Sequence, residues 1–167
     1  MVESTMIEKQ QKLKVSDFCD HLAHEATGKD KEENADLLAG EIESLESILT
    51  KQEVQTIEVG TKLNEDEVSH FKIVKLLHFS IAPNFTGKIL AEDKMQKTKV
   101  ELRKLPLIEF YAALTCDYPS VQAPLFCVKD GFYTAFKKQI ALNMSKLWSE
   151  GMPCLYDVFI YIQDSLV

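Results

Sequence analysis

The sequence lacks the segments and motifs by which membrane-spanning, secreted and many catalytic proteins are identified. Its 167 residues contain no run near the ~20 apolar residues that span a bilayer, and its polar first 14 residues lack the apolar core of a signal peptide. The phosphate-binding patterns GxxxxGK[ST] and GxGxxG are absent, as are the hydrolase patterns GxSxG and HExxH. We therefore predict a soluble cytoplasmic protein, with the nucleus as a second location, that needs no cofactor.

Cysteine and histidine are scarce and scattered. The four cysteines are Cys19, Cys116, Cys127 and Cys154. They form no CxxC pair, which favours buried, reduced thiols over a disulfide framework. Cys19, His21 and His24 come nearest to metal-ligand spacing, but zinc sites need four ligands and no second cluster completes one. We predict no metal site and interpret the two histidines as solvated helix positions.

Positive charge is in deficit, since 26 acidic residues against 19 basic ones give a formal net charge of −7. A general binder of the phosphate backbone needs a basic surface, so we predict no nucleic-acid partner. One basic region stands out: it contains Lys88, Lys94, Lys97, Lys99, Arg103 and Lys104. Because no aromatic residues are interleaved, we interpret it as a solvated face, with an acidic partner as the alternative.

The N-terminal third predicts an extension followed by a long helix. Residues 1–30 form the extension, with a short helix over Asp17–Ala26 that carries Phe18 and Leu22 on one face. The charged stretch Gly28–Asn34 predicts a linker. An amphipathic helix over about residues 33–50 follows from apolar residues at intervals of three and four. These residues are Leu38, Ile42, Leu45, Ile48 and Leu49.

The middle of the chain changes from helical to strand periodicity. We predict a short strand at Val54–Val59, a long one at His70–Ala82 and a third at Leu107–Thr115. The alternation in Val100–Leu102 allows one more strand within Lys88–Lys104. Alternation of apolar and polar residues favours an antiparallel sheet with one face buried and the other in water.

The last third predicts two helices. After Asp130, one face carries Phe132, Phe136, Ile140, Met144, Leu147 and Trp148, of which Phe136 and Trp148 are expected to pack on the sheet. From Pro153 onward, a second helix carries Leu155, Phe159, Ile162 and Leu166. The predicted fold is therefore α+β: a two-layer sandwich in the order α-β-β-β-β-α-α, with helices on one face of an antiparallel sheet.

The segment between Asp117 and Phe126 is the strongest local feature. Its two prolines, Pro119 and Pro124, fix the backbone and predict a rigid, irregular crossing between strands. We expect Tyr118 to pack its ring there and to hydrogen-bond its hydroxyl to the backbone. Cys116 and Cys127 flank the crossing as candidate nucleophiles, but neither has a histidine near it in sequence, so we interpret both as structural thiols.

Two of these segments carry a resemblance to the RWD domain family, which is shared by RING-finger ligases, WD-repeat proteins and DEAD-like helicases. Glu41–Leu49 resembles the first-helix signature of the family. Its tyrosine-proline turn is matched by Tyr118, Pro119, Pro124 and Phe126. Three further stretches resemble the N-terminal RWD domain of RING-in-between-RING ubiquitin ligases: Ser80–Phe85, Leu105–Phe110, and Leu147–Glu150 with Leu155–Asp157. We predict an RWD domain over residues 31–167.

The resemblance implies a fold similar to that of ubiquitin-conjugating enzymes. Those enzymes follow the turn with a His-Pro-Asn stretch and a catalytic cysteine, whereas here only Cys127–Asp130 separates Phe126 from the predicted helix. We therefore predict no catalytic residues and a module that binds proteins. The implied partners are the ubiquitin machinery or its substrates, or, for a stand-alone RWD protein, a large HEAT-repeat scaffold of translation control. The binding face and the oligomeric state are left open.

Overall fold

The computed structural model describes residues 12–18, 26–84, 89–93, 98–102 and 105–165. Its helices are α1 Lys31–Ile48, α2 Val59–Lys62, α3 Glu65–Phe71, α4 Lys137–Ser145 and α5 Leu155–Ile160, with 3-10 turns at Val15–Asp17 and Thr134–Phe136 and a π-turn at Tyr161–Ser165. Its strands are β1 Val54–Ile57, β2 Ile73–Ile81, β3 Ile89–Asp93, β4 Thr98–Leu102, β5 Ile108–Thr115 and β6 Leu125–Val128. No helix in these ranges is long and apolar enough to cross a membrane.

Four strands form one antiparallel sheet in the order β1-β2-β5-β6, and β3 pairs with β4 in a separate hairpin. One face of the sheet packs against α1, α4 and α5 around the main core. At its centre Phe79 stacks on Phe110 with ring centroids 4.8 Å apart, and Phe126 meets Phe110 edge-on at 6.0 Å. The predicted α+β class, with long helices on one face of an antiparallel sheet, is confirmed.

The second face of the sheet was predicted to lie in water, and that prediction is wrong. Leu63, Leu76, Tyr111, Ala113 and Leu125 are buried there in a smaller apolar cluster. The cover comes from the α2–α3 segment and from the N-terminal extension, whose residue 18 is buried in the same cluster. Both faces of the sheet are therefore apolar at its centre. If only one face were buried, every second residue of each strand would be polar.

The long central strand is shorter than predicted and contains a β-bulge. His70 and Phe71 belong to α3, and the pairing with β5 shifts register between Ile73 and Lys75. One extra residue exchanges the two faces of a strand. Ile73 therefore packs in the second-face cluster, although Leu77 and the later odd-numbered residues of β2 pack in the main core. Lys75, the exception in the alternating pattern, lies at this bulge.

The first long helix agrees with its prediction within two residues at each end. Leu38, Leu45 and Leu49 are buried and Ile42 packs beside them, but Ile48 is 58% exposed and lies outside the buried stripe. The linker predicted up to residue 34 is shorter than expected, because α1 begins at residue 31.

The segment after β6 departs most from the predicted helix. Phe132 and Phe136 were assigned to its buried face, yet they are 52% and 65% exposed. The chain forms an irregular loop and a 3-10 turn before α4 begins. The two aromatic residues therefore do not lie on the helix face that carries the buried residues Ile140 and Met144. The loop is anchored by the Tyr133 hydroxyl, which donates to the carbonyl of Pro106 at 2.8 Å.

Several predictions fall on parts of the chain outside the described residues. These comprise Cys19, His21, Leu22, His24, Leu166 and the side chains of the basic region within 88–104. The backbone of that region contributes β3 and β4, where one strand was allowed for. Its interpretation as a solvated face stays a prediction.

Candidate functional site

The tyrosine-proline turn connects β5 to β6 beneath the helices. Tyr118, Pro119, Pro124 and Phe126 are all buried, and the peptide bond between the first two is cis. Backbone hydrogen bonds from the N–H groups of residues 121 and 122 to the carbonyl of Asp117 close the turn. The four residues predicted from the sequence therefore come together as one rigid structural element.

The Tyr118 hydroxyl connects three parts of the fold. It donates to the Glu41 carboxylate on α1, 2.8 Å from one oxygen, and accepts from the backbone N–H of Cys154 at 2.9 Å. The same carboxylate accepts from the backbone N–H of Leu155 at 2.9 Å. The expected bond from the hydroxyl to the backbone thus exists, and its partner is the start of α5, 36 residues away in sequence.

Burial determines the protonation of this cluster. Desolvation raises the pKa of Glu41 above its ordinary value, although the hydrogen bonds from Leu155 and Tyr118 oppose the shift. Burial likewise raises the pKa of Tyr118 well above its usual range and that of the Cys154 thiol to about 12. The phenol and the thiol therefore keep their protons at neutral pH, as a structural hydrogen-bond cluster requires.

Two further side chains attach the turn to the N-terminal part of the chain. The buried carboxylate of Asp117 accepts from the N–H groups of Thr27 and Gly28 at 2.7 and 2.8 Å. The buried amide of Asn34 donates to the carbonyl of Cys116 at 3.0 Å and to the Ser120 hydroxyl at 2.9 Å. The start of α1 and the segment before it are thereby fixed against the turn.

The C-terminal side of the turn is held through one carbonyl. The Trp148 indole N–H and the Gly151 backbone N–H both donate to the carbonyl of Pro119, each at 2.9 Å. The indole is half-buried and packs against the main core, in agreement with the predicted position of Trp148. The turn thus joins α1, the sheet and the segment between α4 and α5, and its groups make structural bonds instead of converging on a cavity.

Glu41 and Asn34 were not predicted as members of this cluster, and the hydrogen bonds of Asp117 were not predicted either. Glu41 lies off the apolar stripe of α1 and resembles any solvated helix carboxylate in sequence. Asn34 gives a faint local signal, because asparagine is unfavourable inside a helix unless its side chain has a specific partner. The bonds of Glu41 join residues 77 and 114 positions apart, which no local pattern reveals.

Cys127 and His78, which both lie in the described sheet, do not form a nucleophile–base pair. Cys127 pairs with Tyr111 across β6 and β5, and Tyr111 pairs with His78 across β5 and β2. Because Tyr111 stands between them, the thiol and the imidazole are two strand spacings, about 10 Å, apart. His78 instead lies 3.4 Å from Glu109, and burial lowers the pKa of its imidazole. Burial, with Asp117 beside it, raises the pKa of the Cys116 thiol, the reverse of activation.

Cys127 also borders a cavity of about 930 Å³ between the N-terminal segment, β6 and α4. Among the described residues that line this cavity, none is a histidine. Of the lysines that line it, Lys137 has its ammonium 2.6 Å from the Asp130 carboxylate. Within the described ranges, no group of three or more His, Cys, Asp or Glu residues could hold a metal ion. We find no catalytic arrangement in this part of the chain.

Comparison with known families identifies one match. The family model of the RWD domain matches residues 36–166, which is more than half of the chain and includes most of α1, the sheet, the tyrosine-proline turn and both C-terminal helices. Searches of curated proteins and of solved structures give no match.

Proposed function

Because this chain belongs to the RWD domain family, we propose that it is a non-catalytic module that recruits protein partners for ubiquitin ligation. RWD domains are in general protein-interaction modules with a fold like that of ubiquitin-conjugating enzymes but without their catalysis. The observation that carries the proposal is the family match over residues 36–166. The turn supports it, since the Tyr118 hydroxyl, the Asp117 carboxylate and the Pro119 carbonyl are occupied by bonds within the fold.

The ligation setting rests on the three stretches that resemble RING-in-between-RING ligases. Of the first stretch, the described residues 80–84 span the end of β2, and Leu105–Phe110 leads into β5. Leu147–Glu150 follows α4, and Leu155–Asp157 begins α5. The second candidate is a stand-alone RWD protein that binds a large HEAT-repeat scaffold in translation control. Both candidates place the protein in the cytoplasm, where these partners occur.

The first prediction tests which partner class binds. Tagged protein is used to capture partners from cytosolic extract at low and at moderate salt, and the captured proteins are identified by mass spectrometry. We expect ubiquitin enzymes or their targets, with faster capture at low salt because the net charge of −7 favours partners with a basic surface.

A HEAT-repeat scaffold captured without ubiquitin enzymes would support the translation-control candidate. Recovery of nucleic acid alone would contradict both candidates. A mock-tagged extract provides the background, and the Phe136→Ala variant provides a control for non-specific adsorption by an exposed aromatic side chain.

The second prediction tests the enzyme class directly. Incubation with activating enzyme, ATP and ubiquitin should yield no thiol-sensitive adduct on a non-reducing gel, because burial raises the pKa of the Cys116 and Cys154 thiols and Tyr111 stands between Cys127 and His78. Among the described cysteines Cys127 is the least buried, and it borders the 930 Å³ cavity. An adduct that disappears in Cys127→Ser but persists in Cys154→Ser would show that the domain is a thiol enzyme.

A further inference from the structure

A groove of about 340 Å³ lies between one flank of α1 and the start of β2. The helix contributes Ala35, Leu38, Ala39 and Ile42. The two alanines lie one helical turn apart, so their small side chains leave space beside the larger Leu38 and Ile42. The result is a concave apolar surface on the side of α1 away from Glu41 and the tyrosine-proline turn.

The opposite wall is the β-bulge of β2. Val74 is the extra residue of this bulge, and it is 43% exposed. Bulges redirect side chains out of the regular alternation, and here the redirected side chain is apolar and lines the groove. Val74 thus adds an exposed apolar wall to the concave surface of α1, and such a surface gains free energy when a partner covers it.

Acidic side chains outnumber basic ones around the groove. Glu43 and Glu46 line it from α1 and Lys75 lines it from β2, and all three side chains are exposed. Helix α1 contains six acidic residues and a single basic one, Lys31. Of the six, only Glu41 hydrogen-bonds to the Tyr118 hydroxyl of the tyrosine-proline turn. A partner that fits this rim therefore carries lysine or arginine beside its apolar side chains.

We infer that this groove docks an apolar segment flanked by lysine or arginine residues on a partner protein. The inference rests on the proposed interaction function and names its surface and the chemistry of its partner. A second copy of the chain is a poor occupant, because it brings a net charge of −7 to an acidic rim.

The test uses a fluorescein-labelled peptide of leucine and lysine in which the leucines follow helical spacing. A peptide with glutamate in place of every lysine is the charge control. Fluorescence anisotropy is measured for the intact chain and for two variants of the groove, Val74→Lys and Glu46→Lys. Leu107→Lys and Glu150→Lys are matched controls, since both positions are exposed, lie outside the groove and receive the same change of charge.

We expect the leucine–lysine peptide to bind the intact chain and the leucine–glutamate peptide not to bind. Val74→Lys should weaken binding about tenfold or more, as removal of a central contact does. Glu46→Lys should weaken it several-fold at low salt and less at high salt. The matched controls should stay within about twofold. Equal losses in the groove variants and their controls would show that the peptide responds only to net charge, and would overturn the inference.

The partner capture is then repeated with the same four variants. Loss of the captured protein in Val74→Lys and Glu46→Lys, but not in the controls, would confirm the groove as the docking surface. Capture that is equal in all variants would overturn the groove assignment and leave the interaction function intact. Absence of any specific protein partner, even for the intact chain, would instead contradict the interaction function. A concentration-dependent dimer that Val74→Lys abolishes would assign the groove to self-association.

Discussion

Replacement of Tyr118 by phenylalanine is expected to lower the free energy of unfolding by about 2–4 kcal/mol. The ring would still fill its buried site, so packing is retained. The lost hydroxyl leaves the buried Cys154 N–H without its acceptor and removes one donor from the half-buried Glu41 carboxylate. A buried group left without a partner bears its full desolvation cost, and a hydrogen bond to a charged group is worth more than a neutral one.

Tyr133→Phe is the matched control for this prediction. Its hydroxyl makes a single bond to the carbonyl of Pro106, so its removal should cost only about 1 kcal/mol. Urea denaturation of both variants, followed by circular dichroism, measures the difference. Equal losses of about 1 kcal/mol would mean that the Tyr118 cluster contributes no more than an ordinary hydrogen bond.

Truncation of Phe110 to alanine is expected to cost about 3–5 kcal/mol, the largest effect of any single change considered. The side chain is fully buried between Phe79 and Phe126, so its removal leaves a cavity that the paired strands cannot close. With a total stability of about 5–15 kcal/mol for a domain, such a loss would unfold a measurable fraction at body temperature.

Phe136→Ala removes the same atoms from the surface and is the control. Because its ring is 65% exposed, we expect a change within about 0.5 kcal/mol. Chemical denaturation at equal protein concentration compares the two variants. A loss above about 2 kcal/mol for Phe136→Ala would place its ring in a packed position and contradict the loop described here.

The RWD domain could be predicted because its recognisable features are local in the sequence. The tyrosine and two prolines of the turn lie within one short segment of the sequence, and the backbone restrictions of proline act locally, so the turn could be recognised without a structure. The first-helix signature is likewise contained within about three turns of one helix. These two segments anchored a resemblance that the family match over residues 36–166 confirms at the level of the RWD domain.

The hydrogen bonds around Tyr118 could not be predicted from local sequence patterns. Their geometry depends on Glu41, a carboxylate that no sequence feature distinguishes from the exposed Glu43 and Glu46 on the same helix. Glu41 differs from them because it lies on the side of α1 that faces the start of α5. That relation exists only when elements more than a hundred residues apart are packed together.

By itself, the sequence determined the helical and strand periods, because periodicity records which face of an element avoids water. It therefore located α1, β2, β5 and the two C-terminal helices, and it located the turn through proline. Only the tertiary structure decided that the second face of the sheet is covered, since residues such as Leu76 are buried by α2, α3 and the N-terminal segment. It alone also decided that the side chains of β2 change faces at Val74. The extra residue of a bulge shifts the register of the strand, and the composition of the strand does not reveal that shift. The exposure of Phe136 and the burial of Glu41 have the same cause: the fate of a side chain depends on which distant element packs against it.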